Sequence, residues 1–401
     1  MPAKCYSKKY EVVVAGGGIA GIAAALAAAR NGAKVALIEK TILLGGLATT
    51  GLIYVYLPIC DGNGTQVNFG ICEELLKMSL KYGPGMVPSD WRQRRNATEQ
   101  QRYRCLFSPA SLALALDEAL STAAVDVWLD TLVCDVELDA HQRLRSILVE
   151  NTSGRGKIKA DIFIDATGDA TVARRAGVPV DVCDNWLSVW SLEYQLGQKQ
   201  GERLSPSINM LATGRRDRIF NAPDGKAVSD FVLEGRKLLR ERYAQAYETG
   251  KVDRFSLYPL HLPAMAQFRK IAAIRGQATL KDDLDGIMQN DSIGLVADWR
   301  KSGLVWEIPF GTLLPRKIKG LLVAGRCISS IGDAWEITRV IPAAALTGEA
   351  AGTAAALALQ QKTVPDQLSI AQLQTSLRKA GNPLHLTEVG LQLKKTKNPA
   401  V

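Results

Sequence analysis

The chain has 401 residues, 47% of them hydrophobic and 22% charged. That supplies ordinary cores for two to three domains and excludes a miniature fold dependent on disulfides or metal. Seven cysteines, at positions 5, 60, 72, 105, 134, 183 and 327, form no Cys-x-x-Cys pair. This excludes a local zinc or iron–sulfur ligand pair and points to a reducing compartment, the cytoplasm. The formal net charge of +9 suits nucleic acid, an anionic surface or an acidic substrate.

Lys4, Lys8 and Lys9 precede a strand rather than a signal-type apolar run. The longest apolar stretch, 15–29, is too short and too rich in Gly and Ala to span a bilayer, so no membrane partner is expected. Residues 1–9 and the Lys-rich tail from about Gln392 read as the segments open to disorder. Residues 10–15 form a short buried strand with Val12, Val13 and Val14 in a run, as a parallel sheet requires. Gly16 to Gly18 turn the chain into an Ala-rich helix over 19–31, Gly32 ends it, and a second strand runs 34–38 to Glu39. This is one βαβ unit.

After a Gly- and Thr-rich stretch to Pro58, a tight loop at 61–64 leads to an amphipathic helix over 71–80. Arg92, Arg94, Arg95, Arg102 and Arg104, with Trp91 and Tyr103 between them, read either as a solvated loop face or as an anion contact. No nucleic-acid module accompanies them, so a nucleic-acid partner is not expected. Sequons at Asn63, Asn96 and Asn151 are chance matches. Ser108 caps a helix over 110–123 with Pro109 at its first position. Strands over 125–129, 132–138, 144–150 and 157–163 read as an antiparallel meander inserted before a strand at 162–166. Residues 186–305 change texture toward Arg, Trp and helix, and read as a second domain. A buried strand returns at 321–324, and an Ala-rich helix fills 341–359.

Gly16-Gly17-Gly18-Ile19-Ala20-Gly21 is a G-x-G-x-x-G between strand and helix. Gly16 permits the turn, Gly18 clears room for a pyrophosphate, and Gly21 lets helix meet strand. Glu39, eighteen residues on, suits ribose hydroxyls and repels a 2′-phosphate. FAD and NAD both use this fingerprint. Three later segments favour the longer FAD: Gly45-Gly46-Leu47-Ala48-Thr49, Ala166-Thr167-Gly168-Asp169, and Gly325-Arg326 with Arg339-Val340 opening the last Ala-rich helix. Asp169 also reads as a helix N-cap for 170–176.

With these segments the chain resembles the FAD-dependent oxidoreductase family of the glutathione-reductase-type flavoprotein superfamily. The likeness rests on VVVAGGGIAGIAAALAAARNGAKVALIEK, LLGGLATTGL, IFIDATGDATVARRAG, LLVAGRCISS and TRVIPAAALTGEAAGTAAALA. The fold it implies is α/β: a Rossmann-type FAD-binding domain (8–185 and 306–362) with an inserted antiparallel β-meander, a second α+β substrate or cap domain (186–305), and a closing helix and tail (363–401). By the same likeness Gly16, Gly18, Ile19, Ala20 and Gly21 hold the pyrophosphate, Glu39 and Lys40 sit at the adenosine, and Val133 meets the adenine through its backbone. Gly45, Gly46, Leu47, Ala48 and Thr49 line the ribityl and flavin side, with Ala166, Thr167, Gly168 and Asp169 on the crossing loop. Gly325, Arg326, Arg339 and Val340 close over the isoalloxazine, and Asp333 is a further cofactor-binding residue. The stretch 331–336 lacks the histidine common in the family, and 269–273 keeps only the first arginine of its Arg-rich run, so no substrate class is carried over.

Candidate substrate-side residues are therefore taken one by one. His141 and His385 read as exposed; His261 is the one histidine near a plausible site, as an acid–base or a structural group. Arg269 and Arg275 either fork a carboxylate or lie on a helix surface. Trp335 or Glu336 faces substrate or serves the fold. The leading reading is hydride transfer between flavin N5 and a small organic, preferably anionic, substrate, with a homo-oligomer left open. The alternative is a flavin-binding protein without its own chemistry, in assembly or electron relay.

Overall fold

The computed structural model describes residues 6–86, 104–196, 206–221 and 223–394. Arg92, Arg94, Arg95 and Arg102, with Trp91, Tyr103 and the Asn96 sequon, lie outside the described residues. The chain separates into two compact units. One comprises Met1–Gly46, Tyr54–Asp181 and Ala272–Val401; the other comprises Leu47–Ile53 and Val182–Ile271.

In the first unit, β1 (Tyr6–Lys9) and β2 (Val12–Ala15) precede α1 (Ile19–Arg30) and β3 (Val35–Ile38). Then come α2 (Gly70–Ser79), α3 (Pro109–Thr122), β4 (Asp126–Trp128), β5 (Leu132–Leu138), β6 (Leu144–Asn151), β7 (Gly154–Lys159), β8 (Ile162–Asp165) and α4 (Thr171–Arg175). The apolar strands β2, β3 and β8 are buried along their length, and they build a parallel sheet in the order (Leu321–Val323)–β8–β2–β3–β4. The chain leaves β2 toward β3 on one side and returns as β8 on the other. The crevice outside the carboxyl ends of β2 and β8 is therefore the switch point of the sheet, the usual ligand position in an open α/β sheet.

Two expectations need correction here. Residues 126–128 pair with β3 in parallel and close the edge of this sheet, so they are not part of the meander. The expected strand over 157–163 is two strands, β7 and β8, in different sheets. β7, β6 and β5 pair antiparallel, and β1 adds to β7 in parallel, so Tyr6–Lys9 is ordered by a partner far along the chain.

Residues 272–305, expected in the second domain, fall in the first unit. Their strand Ser292–Ala297 is buried throughout, and Leu295 and Ala297 share an apolar cluster with Val67, Val305 and Leu386. Among the described residues no single helix is long and apolar enough to cross a membrane.

The second unit contains β9 (Asp184–Leu196), β10 (Pro206–Asn221), α5 (Gly225–Glu248) and β11 (Leu257–His261), with sheet order β10–β9–β11. Along β9, buried Asn185, Leu187, Val189, Ser191 and Glu193 alternate with more exposed Trp186, Ser188, Trp190 and Leu192. The buried set faces α5: Val189, Leu239, Tyr243 and Leu257 form one core, and buried Glu193 takes Arg242 at 2.8 Å and the Tyr243 hydroxyl at 3.2 Å.

The first unit ends in α6 (Gly332–Thr338), α7 (Ile341–Gln360) and α8 (Ile370–Lys379). Helices α1 and α7 touch through their backbones. A Cβ on Gly348 would lie 2.2 Å from the Ala20 carbonyl oxygen, and one on Gly352 2.2 Å from that of Ala24. Buried Glu349 accepts the Ile71 N–H at 2.9 Å, capping the start of α2 from another helix.

Candidate functional site

The turn after β2 is shaped by contact. Gly16 has φ +101, and a Cβ there would fall 2.5 Å from the Ala166 carbonyl oxygen beyond β8. On Gly21 a Cβ would lie 1.8 Å from the Gly16 carbonyl oxygen, so helix and turn can meet only through glycine. At Gly18, by contrast, a Cβ would meet nothing within 4 Å. Gly18 is the N-cap of α1 and no side chain caps that end, so its first N–H groups and positive dipole end are available to a phosphate. Gly45 donates to the Gly17 carbonyl at 2.8 Å, and a Cβ on Gly46 would lie 3.1 Å from the Gly18 Cα. The second glycine pair therefore lies against the first.

Gly16, Glu39, Lys40, Val133, Thr167 and Asp169 line one pocket of about 120 Å³, together with Ile38, Thr131, Leu132 and Thr171. Glu39 is buried. One carboxylate oxygen accepts the Gly17 N–H at 2.6 Å; the other accepts the N–H and hydroxyl of Thr41 at 2.8 and 2.9 Å. The oxygen facing Gly17 keeps a lone pair for a ribose hydroxyl, whereas both lone pairs of the other are taken by Thr41. Sequence reasoning missed Thr131, Leu132 and Thr171, which carry no motif. Thr131 and Leu132 are placed by β5 starting beside Glu39, where the Thr131 N–H meets the Glu39 carbonyl at 3.0 Å, and Thr171 by the start of α4.

The crossing loop is organised by Asp165, which is fully buried. It accepts from the Thr167 hydroxyl at 2.7 Å, the Thr167 N–H at 3.1 Å and the Ala173 N–H at 2.8 Å. Asp169 is not the N-cap of α4: that position is Ala170, with φ +55, and the free N–H groups are met by Thr167 and Asp165. Asp169 instead accepts the Thr171 hydroxyl at 2.5 Å on the pocket wall.

Burial pushes the Asp165 carboxyl up to about 6 and that of Glu349 up to about 7, against hydrogen bonds that favour the charged forms. Both lie above the ordinary carboxyl range near 4, so the native state holds protons that the unfolded chain has released. Their stabilising contribution is complete below about pH 4 and is lost as pH rises through about 6 to 7. The unfolding midpoint is therefore expected to rise from about pH 8 to about pH 5, and Glu349→Gln to flatten the upper part of that rise. A midpoint that falls steadily over the same interval contradicts this.

Arg326 Nε donates to the Gly168 carbonyl at 2.6 Å, and burial holds its guanidinium below the usual arginine value. Trp335 is buried and its indole N–H donates to the Arg326 carbonyl at 2.7 Å. It positions Arg326 rather than facing a substrate. Glu336 pairs with Arg339 at 2.6 Å, and the Trp299 indole N–H donates to the Glu336 carbonyl at 3.4 Å. Asp333 is held by Lys301 at 2.9 Å and Arg300 at 3.2 Å, which lower its carboxyl, so it belongs to a surface ion cluster rather than to the cofactor cradle. Val340 is the N-cap of α7, and that end also has no side-chain cap.

The remaining candidates divide between the units. Arg275, in the first, is exposed and grips Asp181 at 2.8 and 3.0 Å, so a surface ion pair replaces the expected substrate fork. His385 is not exposed; its Nδ1 lies 2.9 Å from buried Glu307, whose other oxygen accepts the Leu386 N–H. In the second unit, Arg269 stacks over the Trp190 ring at 5.3 Å, and His261 pairs with Leu192 in register. Paired residues point to one side of a sheet. The structure thus brings His261 and Arg269 to the same face of β9, the one opposite α5. The segment carrying Leu47, Ala48 and Thr49 is tied to this strand by Gln267, whose amide donates to the Gly51 carbonyl at 2.6 Å and to the Trp190 carbonyl at 3.0 Å.

A family model described as FAD dependent oxidoreductase matches residues 11–249 and 288–377. Among solved structures, a geranylgeranyl bacteriochlorophyll reductase-like protein from Thermoplasma acidophilum is 13% identical with a TM-score of 0.46, over 93% of this chain and 83% of that one. The p-nitrophenol 4-monooxygenase of Pseudomonas putida is 12% identical with a TM-score of 0.46, over 93% and 84%. No curated protein matches the chain.

Proposed function

We propose, for a chain that belongs to the FAD dependent oxidoreductase family, transfer of a hydride between a small anionic organic substrate and N5 of its FAD. The observation that carries this reading is the convergence of Gly16, Glu39, Val133 and Thr167 on one pocket at the sheet's switch point, beside an uncapped helix N-terminus. FAD, when bound, supplies the two-electron chemistry; the chain supplies binding, orientation and electrostatics. Glu39 and the Val133 backbone hold the adenosine, α1 and Gly18 the pyrophosphate, and Gly45, Gly46, Ala48 and Thr49 the ribityl side. The uncapped α7 end offers its dipole to an electron-rich ring edge.

The glutathione-reductase-type assignment is supported by the order of these segments and by the antiparallel strands β5 to β7 set before β8. We assign the second unit to the substrate, since Arg269 offers a cation and His261 a proton carrier on one sheet face. The six described cysteines are free thiols, which supports a cytoplasmic setting.

The test is anaerobic mixing of the holoprotein with carboxylates, alcohols and amines while the visible flavin band is followed. At least one carboxylate is expected to bleach it. NADH and NADPH are expected to do so slowly or not at all, because only one dinucleotide fingerprint is present. Rapid bleaching by NADPH with no response to any organic substrate contradicts the proposal.

A further inference from the structure

The face of β9 opposite α5 carries Trp186, Ser188 and Trp190 in succession, one every second residue. Across the strand pair, Ser188 faces Gly214 and Trp190 faces Ala212, both small, while Trp186 faces Ile219 across a register shift that sets Arg216 beside it. The Cα atoms of Trp186 and Trp190 stand about 13 Å apart at strand spacing, which leaves room for one aromatic ring with its substituent. Each indole also carries a guanidinium: Arg216 lies 4.8 Å from the Trp186 ring and Arg269 5.3 Å from the Trp190 ring.

The neighbouring arginines are neutralised, Arg215 by Asp217 and Arg218 by Glu234, whereas Arg216 has no carboxylate partner among the described residues. The Arg216 guanidinium beside two indoles, with Gly214 and Ala212 opposite Ser188 and Trp190, matches a planar anion. An aromatic carboxylate meets both requirements, since its ring packs between the indoles and its carboxylate takes a guanidinium fork. A compact phosphate would use the charge and leave the aromatic walls idle.

We infer that this slot binds an aromatic carboxylate, and that Trp186, Trp190, Arg216 and Arg269 set its selectivity. This rests on the substrate role proposed for the second unit and names the class of substrate. His261, in register with Leu192 next along the same face, stands at the Trp190 end of the slot.

The test is isothermal titration calorimetry on the full-length holoprotein with benzoate, its neutral isostere benzamide, and acetate. Flavin content is measured on each sample. Benzoate is expected to bind saturably, and benzamide and acetate at least about tenfold more weakly. Arg216→Gln and Trp186→Ala alter exposed residues and leave the core of the unit intact; each is expected to weaken benzoate about tenfold with FAD content unchanged. Arg269→Gln is expected to weaken it by about ten- to hundredfold, the range for a charge-assisted hydrogen bond. Absence of a saturable benzoate signal in a fully flavinated protein overturns the inference, as does equal binding of benzamide or an unchanged affinity in Arg216→Gln and Trp186→Ala. A protein that binds benzoate as described yet holds no FAD overturns the hydride-transfer proposal and leaves the slot standing.

Discussion

Gly18→Leu is expected to yield a folded protein that has lost its FAD. A Cβ at Gly18 meets nothing within 4 Å, and the residue's φ of −72° suits any side chain. The apoprotein should therefore keep its unfolding free energy to within about 1 kcal/mol of wild type. The branched side chain would stand over the uncapped α1 terminus, where the pyrophosphate must approach. A loss of at least about a hundredfold in FAD affinity follows, roughly 2.7 kcal/mol. The check is the ratio of flavin to protein absorbance after purification, with reconstitution by added FAD. Wild-type occupancy in Gly18→Leu would mean that the pyrophosphate lies elsewhere. Gly21→Leu is the contrast, because its clash with the Gly16 carbonyl removes the fold along with the cofactor.

Gly348→Leu is expected to cost a large part of the stability from a position away from the cofactor turn. Even its Cβ would stand 2.2 Å from the Ala20 carbonyl oxygen, a backbone atom that cannot rotate away. Helices α1 and α7 would have to part, exposing a sheet-facing surface made of alanine and glycine. Overpacking in a core costs about 1–3 kcal/mol and occasionally more; with backbone against backbone the upper end, about 3 kcal/mol, is expected. Against a total stability of about 5–15 kcal/mol this is a large fraction. Denaturant titration of the apoprotein checks it, with Gly348→Ala as a milder companion. A midpoint in Gly348→Ala equal to that of wild type would show that the helices are not in backbone contact.

The βαβ unit and its fingerprint were legible because their signals are local: a valine run, three glycines, and an acid at the end of the next strand. The observed β2, α1 and β3 stay within two residues of the expected bounds. What was not legible depends on partners distant in sequence. Tyr6–Lys9 is a strand only because Gly154–Lys159 lies beside it, and Asp126–Trp128 joins the parallel sheet only because β3 is there. Asp169 looked like a cap because its residue type favours one, but buried Asp165, four residues earlier, already reaches the N–H groups. Trp335 and Asp333 were read from their place in a motif, and burial and ion pairing respectively reassign them. The alternation W-L-S-V-W at 186–190 points to a half-buried strand, a local signal that the composition of 186–305 hides.

The most direct test of FAD binding is to denature the purified wild-type protein and identify the released flavin by chromatography, with its amount set against that of the chain. Release of FAD in an amount close to that of the protein is the expected result. Release of FMN, or a colourless protein that FAD cannot reconstitute, would contradict it.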